Sequence, residues 1–462
     1  MLSYDKRKMD ATLVAFCVFV CFAFGVADAA ESVVRSRKKD IVTVITSYPA
    51  SFYEPLREDF ERANDSINLR IINKKTTAAI AHIQDRPDDP ADVFWASAPD
   101  AFEVLKFAGR LAPIEPRSTG APDRIGNYPI NDPDGKYLGF ALSGFGLLWN
   151  PSYLERNHIP VPHTWDDLRD PAYHRHIGIS SPSRSGTMHL MVETVLQVNG
   201  WDQGWATWLE IAGNLATVTA RSFGVADGIA RGRFGIGVTI DFLGQAQLPA
   251  GVKLRFAYPP SNVFLPASVA LLRDAPNRAG AEKFIDFLFS VHGQTLLLHP
   301  DIQRLPIMPS VYEHADAGQL NPYHTKQQDE RFVFNREISR VRYELVNILF
   351  DELITLRVSD LNRLWRLIHR SEERLRAQPD VEAARLVAEA RRTIQTMPVS
   401  EAQANDRAYA TGLRRITPGQ LVPQRHAELE AELRTYSRRT LNGAREFALA
   451  AAARLGLSLD PE

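Results

Sequence analysis

Cysteine is scarce in this chain of 462 residues, which contains only two. Both, Cys17 and Cys21, lie in an apolar stretch near the amino terminus, so the rest of the chain can form no disulfide. Charge of one sign is not in excess either, because 54 Lys and Arg face 55 Asp and Glu, for a formal net charge of -1. A balanced charge gives no basic footprint for nucleic acid, and we expect no nucleic-acid partner.

Common catalytic and nucleotide-binding motifs are also missing. The sequence has no Gly-x-Ser-x-Gly elbow, no His-Glu-x-x-His, no P-loop and no dinucleotide fingerprint. We therefore expect neither catalysis nor a cofactor. Phosphate released from phosphate esters would contradict this expectation.

The first thirty residues have the layout of a secretory signal peptide. Three basic residues at positions 6–8 precede an apolar run over 11–26, and Ala27-Asp28-Ala29 fits a signal peptidase site. This run is shorter than the roughly 20 residues that a helix needs to cross a bilayer. We predict a signal peptide over 1–29, with an uncleaved anchor as the alternative. Because secreted eukaryotic proteins of this size usually carry disulfides, we expect a bacterial periplasmic protein.

From about residue 40 to 330 the pattern alternates between strands and helices. Strands are predicted over 41–46, 69–72, 91–95, 177–181, 216–219 and 235–240. Helices are predicted over 52–64, 76–84, 100–107, 188–198 and 224–231, with Asp100 as a cap and Gly109 as a stop of the third. This order predicts an α/β fold with mostly parallel sheets and helices on both faces.

The apolar stretch over 139–149 separates the two copies of this pattern, and we predict that it crosses between two lobes. Lobe I is expected over 41–143 plus about 265–325, and lobe II over 144–264. In such folds, ligands lie beyond the carboxyl ends of the strands. We therefore expect a binding cleft between the lobes.

The composition changes after about residue 330. Residues 331–462 contain 22 Arg and no Lys, against 18 Asp and Glu. Leu and Ile recur every three or four residues, which predicts helices. We expect an all-helical C-terminal region over 330–462, which is either a packed subdomain or a surface for an acidic partner.

A family resemblance is carried by short motifs in order along the chain. They are Leu148-Trp149-Asn150, the segment from His163 to Tyr173 (HTWDDLRDPAY), Ser185-Gly186-Thr187, and the segment from Gly224 to Asp241. With these motifs the chain resembles the periplasmic solute-binding proteins of ABC importers, within the group for iron(III), phosphonates and sugar phosphates. The segments over 45–49 and 93–100, with the helical tail, resemble members that serve phosphoglycerate uptake together with a membrane sensor kinase.

The resemblance implies a two-lobed periplasmic-binding-protein (type II) fold with a C-terminal all-helical extension. It also implies a membrane partner, which is either the permease of an ABC importer or a sensor kinase. We expect the protein to be a monomer.

The segment over 184–187 is the main candidate site, because it follows a predicted strand and begins a helix. The first N–H groups of a helix lack intrahelical partners, and Arg184 can make a bidentate contact. Ser185, Gly186 and Thr187 add hydroxyls and close backbone access. This combination favours phosphate or carboxylate, so we predict a small anionic, phosphoglycerate-like solute. A simple capped helix start is the alternative.

Other candidate residues follow the remaining strands. On lobe I they are Ser47, Tyr48, Thr76, Thr77, Trp95 and Ser97, with Lys74 and Lys75 as sources of positive potential. On lobe II they are Arg221, Asp241 and Phe242. We expect Asp241 to accept a hydrogen bond from a ligand hydroxyl, to pair with Arg221 or to orient Arg184.

Iron is the main competing ligand within the family. Iron-binding members present two adjacent tyrosines, and no Tyr-Tyr pair occurs in this sequence. His174 and His176 have ligand chemistry, but they fall in a loop away from the expected cleft. We predict no metal site.

Overall fold

The computed structural model describes residues 39–86, 88–125, 128–244, 253–259, 264–300, 302–314, 320–323, 334–413 and 423–458. The predicted signal peptide lies outside these ranges. Within them, no helix combines the length and the apolar character that a membrane span requires.

The described residues form thirteen strands, and six of them lie close to the positions predicted from the sequence. The thirteen strands are β1 (Asp40–Thr46), β2 (Ile67–Asn73), β3 (Val93–Ala96), β4 (Arg124–Ile125), β5 (Tyr128–Pro129), β6 (Leu138–Ser143), β7 (Phe145–Trp149), β8 (Ile177–Ser180), β9 (Leu215–Thr219), β10 (Ile236–Ile240), β11 (Arg255–Ala257), β12 (Leu265–Leu271) and β13 (Leu305–Pro306).

Helices connect and cover these strands. They are α1 (Ala50–Ala63), α2 (Thr76–Asp85), α3 (Pro99–Phe107), α4 (Pro151–Arg156), α5 (Gly186–Asn199), α6 (Trp201–Ala212), α7 (Ser222–Ala230), α8 (Arg278–Phe289), α9 (Val291–Leu296), α10 (Arg336–Leu353), α11 (Val358–Ala377), α12 (Val381–Gln395), α13 (Glu401–Ala404), α14 (Arg407–Ala410) and α15 (Gln424–Arg454).

Two mixed sheets organise the described residues between Asp40 and Pro306. The six-stranded sheet has the order β13-β6-β12-β3-β1-β2, with β1 parallel to β2 and β3, and with β12 antiparallel to β3 and β6. The five-stranded sheet has the order β11-β7-β10-β8-β9, in which β8 is parallel to its two neighbours. The sheets therefore contain more antiparallel pairs than the sequence suggested. Strand β7 is antiparallel to β10, and β12 is antiparallel to β3.

The chain passes from one sheet to the other at Gly144. Ser143 is the last residue of β6 in the first sheet, and Phe145 is the first residue of β7 in the second. We call the six-stranded sheet with its helices lobe I, and the five-stranded sheet with its helices lobe II. The crossing lies inside the apolar stretch 139–149.

The C-terminal helices pack on lobe II and extend to lobe I. Helix α6 of lobe II contacts α11 and α12, and α15 lies along α12. Trp205 and Trp208 of α6 are buried against the ring of Phe350 on α10, at 6.4 and 5.9 Å between ring centroids. The helices therefore share a hydrophobic core with lobe II.

Asp100 does not cap helix α3, contrary to the prediction. The helix begins one residue earlier, at Pro99, and Ala98 occupies the capping position without a side-chain hydrogen bond. Proline is favoured at a first helical position because its missing N–H is not needed there. Asp100 is instead buried inside the molecule. Gly109 has a positive φ of 66°, as expected for a helix stop.

Candidate functional site

The cleft between the lobes is bounded by helix starts. Helices α1, α2 and α3 of lobe I and α5 and α7 of lobe II all begin beside it, at or near Pro49, Lys75, Ser97, Ser185 and Arg221, which line the cleft. Each helix start carries unpaired N–H groups and a positive partial charge. Their convergence makes the cleft favourable for an anion.

Most of the predicted side chains meet at this cleft. The predicted residues that line it are Ser47, Tyr48, Thr76, Ser97, Arg184, Ser185, Thr187, Arg221 and Phe242. The other lining residues are Pro49, Lys75, Ser222, Phe223, Ile240 and Leu243. Of these, the sequence analysis considered only Lys75, because apolar residues near the end of a strand look like ordinary core.

The charges that line the cleft are positive. Lys75, Arg184 and Arg221 contribute cations, and no carboxylate is among the described lining residues. Arg221 donates to Asn73 Oδ1 at 2.9 Å and lies 5.4 Å from the centre of the Phe223 ring. Burial lowers the pKa of the Arg221 guanidinium from its usual value. Arg184 is exposed, so it is free to turn toward a ligand.

At the start of α5, one hydroxyl group caps the helix and another lines the cleft. Ser185 Oγ accepts a hydrogen bond from Met188 N at 3.2 Å and lies 2.7 Å from Ser222 Oγ, so capping occupies this hydroxyl. Thr187 is the second residue of the helix, and its N–H has no intrahelical acceptor. Its side chain lines the cleft and is 8% exposed. Thr187 can therefore offer both a backbone and a hydroxyl donor.

Thr77 and Gly186 connect the lobes and do not line the cleft. Thr77 Oγ1 donates to the carbonyl oxygen of Ser183 at 2.8 Å, and Gly186 N donates to Thr76 Oγ1 at 3.2 Å. A Cβ atom on Gly186 would lie 2.7 Å from Ala98 Cβ and 2.8 Å from Thr76 Cγ2. Glycine at this position therefore permits lobe I to approach the start of α5.

Trp95 belongs to the core of lobe I and not to the cleft wall. Its ring packs against Tyr48, Phe140 and Phe284 at centroid distances of 5.2, 5.7 and 5.5 Å, and it is 1% exposed. Side chains alternate along a strand, and this alternation places Trp95 on the face of β3 that it shares with Val93, opposite Phe94. A strand-end position alone could not reveal which face the ring would take.

Asp241 stabilises the crossing between the lobes and is not among the lining residues. Its carboxylate accepts hydrogen bonds from Gly144 N at 2.7 Å, Phe242 N at 2.8 Å and the Tyr258 hydroxyl at 3.0 Å. Burial raises the pKa of Asp241 to about 6, although its backbone partners and Arg304 oppose this shift. It pairs with neither Arg184 nor Arg221 among the described contacts.

Arg304 was not predicted, yet its side chain is fully buried beside the cleft residues. Its guanidinium lies 4.1 Å from the ring centre of Phe242 and 4.8 Å from that of Tyr48. An isolated arginine before a short strand gives no signal in the sequence. Only the fold brings it under two residues that line the cleft.

The two histidines considered as metal ligands bind protein groups elsewhere. His174 Nδ1 lies 3.2 Å from the carbonyl oxygen of Gly213, and His176 Nδ1 lies 2.9 Å from the Tyr153 hydroxyl. Neither residue lines the cleft. In the part of the chain that the structure describes, no group of three or more His, Cys, Asp or Glu side chains is placed to hold a metal ion.

Comparison with known proteins identifies relatives of this chain. A family model described as bacterial extracellular solute-binding protein matches residues 88–331. The phosphoglycerate transport regulatory protein PgtC of Salmonella typhimurium is 32% identical over 345 residues, which are 74% of this chain and 82% of that protein. The iron uptake protein A1 of Synechocystis is 23% identical over 292 residues, 58% of this chain and 78% of that protein.

Solved structures share the fold at lower identity. The periplasmic binding protein AfuA of Actinobacillus pleuropneumoniae, solved with fructose-6-phosphate, has a TM-score of 0.61 at 19% identity and covers 69% of this chain and 99% of its own. The apo ferric ion-binding protein A of Pasteurella haemolytica has a TM-score of 0.56 at 16% identity, with coverage of 68% and 97%. The predicted type II fold with a helical extension is thus confirmed, and the chain belongs to the family of bacterial extracellular solute-binding proteins.

Proposed function

We propose that this protein captures a small phosphorylated or carboxylated anion in the cleft between its lobes, for delivery to the permease of an ABC importer. The observation that carries the proposal is the cleft itself. Five helix starts converge on it, together with Lys75, Arg184 and Arg221, and no described lining residue is acidic. The helix dipoles and the cationic side chains both attract an anion to this surface.

A phosphoglycerate-like solute is the form of this anion that we propose. The name of PgtC refers to phosphoglycerate transport, and AfuA was solved with a sugar phosphate. A three-carbon phosphorylated acid is small enough for a narrow cleft, and its hydroxyl and phosphate suit Ser47, Ser97 and Thr187. Reversible binding without catalysis is part of the proposal, and so is a periplasmic location after removal of residues 1–29.

A sensor role is the second candidate, in which a membrane histidine kinase reads the ligand state. A direct contact favours it: Ser181 Oγ, at the start of the loop that leads to Arg184, donates to Asp351 Oδ1 on α10 at 2.8 Å. The C-terminal helices are thereby linked to the ligand loop. Iron is less suitable as cargo, because the lining residues that the structure describes offer one tyrosine and no carboxylate.

A thermal-shift screen of residues 30–462 tests the proposal. The candidate ligands are phosphoglycerates, phosphoenolpyruvate, sugar phosphates, phosphonates, inorganic phosphate and ferric citrate. A ligand at 100 times its dissociation constant should stabilise the protein by about 2.7 kcal/mol. We expect a shift with phosphorylated three-carbon acids, a smaller one in the variant Arg184→Ala, and recovery of the esters without hydrolysis. A shift with ferric citrate alone would overturn the ligand class.

A further inference from the structure

Arg304 is a buried cation whose hydrogen-bonding capacity is only partly used. One terminal nitrogen, Nη1, donates to Ser143 Oγ at 2.6 Å. Nε and Nη2 have no partner among the described residues. The guanidinium also forms no ion pair within 4.0 Å in that part of the chain. An arginine side chain has five N–H donors, and when it is buried most of them normally have hydrogen-bond partners.

The surroundings of Arg304 stabilise its charge without neutralising it. The rings of Phe242, Tyr48 and Phe52 lie at 4.1, 4.8 and 5.2 Å from the guanidinium carbon. Cation–π contacts of this kind offset part of the desolvation penalty. A fully buried and unpaired charge remains unfavourable even so. Asp241 acts on Arg304 through space, but protein donors already occupy its oxygens.

The rings that cover Arg304 come from both lobes. Tyr48 belongs to lobe I and Phe242 to lobe II, and both line the cleft. Arg304 itself precedes β13 of lobe I, and its partner Ser143 ends β6 beside the crossing at Gly144. The guanidinium that carries the two unpaired donors therefore lies directly against two residues of the cleft wall. Rotation of the lobes about this crossing would draw Phe242 away from the guanidinium.

We propose that Arg304 is a specificity-determining residue that pairs with a carboxylate of the bound solute, while Arg184 and Thr187, at the start of α5, hold its phosphate. This inference rests on the proposed function and narrows its ligand class to solutes with two anionic groups. The planar guanidinium fork matches a carboxylate through two parallel hydrogen bonds. The ligand would thus satisfy the donors that the protein leaves unpaired.

Two ligands that differ in the carboxylate test the inference. Isothermal titration of residues 30–462 with 3-phosphoglycerate and with glycerol 3-phosphate measures the preference for the acid. We expect wild type to favour 3-phosphoglycerate at least tenfold, and Arg304→Gln to weaken that ligand by roughly ten- to a hundredfold while changing glycerol 3-phosphate by less than threefold. Arg304→Lys, which keeps the charge, should retain part of the preference.

Variants at other positions separate this role from a structural one. Arg184→Ala should weaken both ligands by similar factors, because we assign Arg184 to the phosphate that they share. If Arg304→Gln does not fold, Arg304→Met fills the aromatic surroundings with an apolar chain and should give the same loss of preference. Equal losses for both ligands, or an unchanged preference, would overturn the assignment. If wild type binds neither ligand, the proposed function fails, and the inference fails with it.

Discussion

Thr187 is the residue in which the helix start and the hydroxyl chemistry of the cleft coincide. Its side chain lines the cleft and is nearly buried, so a ligand oxygen bound to it would be shielded from water. We expect Thr187→Ala to weaken anion binding by roughly 1 to 3 kcal/mol, the cost of leaving a buried polar group unpaired. Calorimetry with the ligand found in the thermal-shift screen measures this.

Thr187→Ser is the matched control, because it keeps the hydroxyl and removes only the methyl group. It should bind within a few tenths of a kcal/mol of wild type if the hydroxyl is what matters. Equal weakening in the two variants would assign the effect to packing and move the polar contact elsewhere.

Asp100 and His189 form a buried contact between the lobes, with 3.3 Å between Asp100 Oδ2 and His189 Nε2. Burial raises the pKa of Asp100 to about 8, and the nearby Glu193 and Glu103 also raise it. Burial lowers the pKa of His189 to about 4, against the effect of its hydrogen bond to Asn347 Oδ1 at 2.8 Å. At neutral pH the pair is therefore an uncharged carboxylic acid beside an uncharged imidazole.

This pair predicts a fall in stability above pH 6.5. Between about pH 4 and 6.5 the two groups oppose each other, because the folded protein retains a proton on Asp100 but lacks one on His189. From about pH 6.5 to 8 only Asp100 binds more protons in the folded state, so its contribution is lost as pH rises, by about 2 kcal/mol in total. Urea unfolding of wild type and Asp100→Asn over this range should show the fall in wild type alone. Parallel pH profiles for the two proteins would contradict it.

Gly186 governs how the start of α5 meets lobe I. Because an added Cβ would fall inside contact distance of Ala98 and Thr76, Gly186→Ala should hold the lobes apart. We expect ligand affinity to drop at least tenfold while the unliganded protein keeps its secondary structure. Small-angle scattering should show a larger radius of gyration for the variant with ligand than for wild type with ligand.

Gly443→Ala provides a glycine control within helix α15. Its new Cβ would lie 3.7 Å from Thr393 Cγ2, an ordinary contact. Since alanine is the better helix former, this change should leave binding unaltered and stabilise the helix by up to about 1 kcal/mol. A closed, tightly binding Gly186→Ala protein would show that the lobes meet differently in solution.

Local periodicity predicted the positions of helices and strands better than it predicted the contacts of their side chains. The run IVTVIT appears as β1, and the amphipathic pattern after it appears as α1. The side chains at strand ends were harder to assign, because Trp95 faces the core and Asp241 binds the crossing at Gly144. Those outcomes depend on sheet order and on contacts between distant segments. The sequence analysis missed Arg304 for the same reason. The residues that bury it come from both lobes, so the sequence next to Arg304 does not indicate its burial.

The whole molecule is held together by helix α10, which contacts both lobes. Arg336 Nη1 lies 2.8 Å from Glu103 Oε1 of lobe I, with the Tyr137 hydroxyl also at 2.8 Å. Deeper along the helix, Arg342 forms a buried fork with Glu193 of lobe II, with its shortest contact at 2.7 Å. The C-terminal region is therefore integral to the two-lobed body, and its position depends on how the lobes are arranged.

A chain that ends at residue 330 should therefore fail to fold normally. Its loss of α10 would expose Trp205 and Trp208 and leave Glu193 as an uncompensated buried charge, which alone costs about 3 to 5 kcal/mol. We expect aggregation, or red-shifted tryptophan emission with a broad thermal transition, whereas a control chain that ends at Ser458 should behave like wild type. A truncated chain that unfolds cooperatively and binds its anion with unchanged affinity would make the tail a separable module. That result would favour a docking role for the tail. It would also mean that the contact of Asp351 on α10 with the loop that leads to Arg184 does not affect ligand binding.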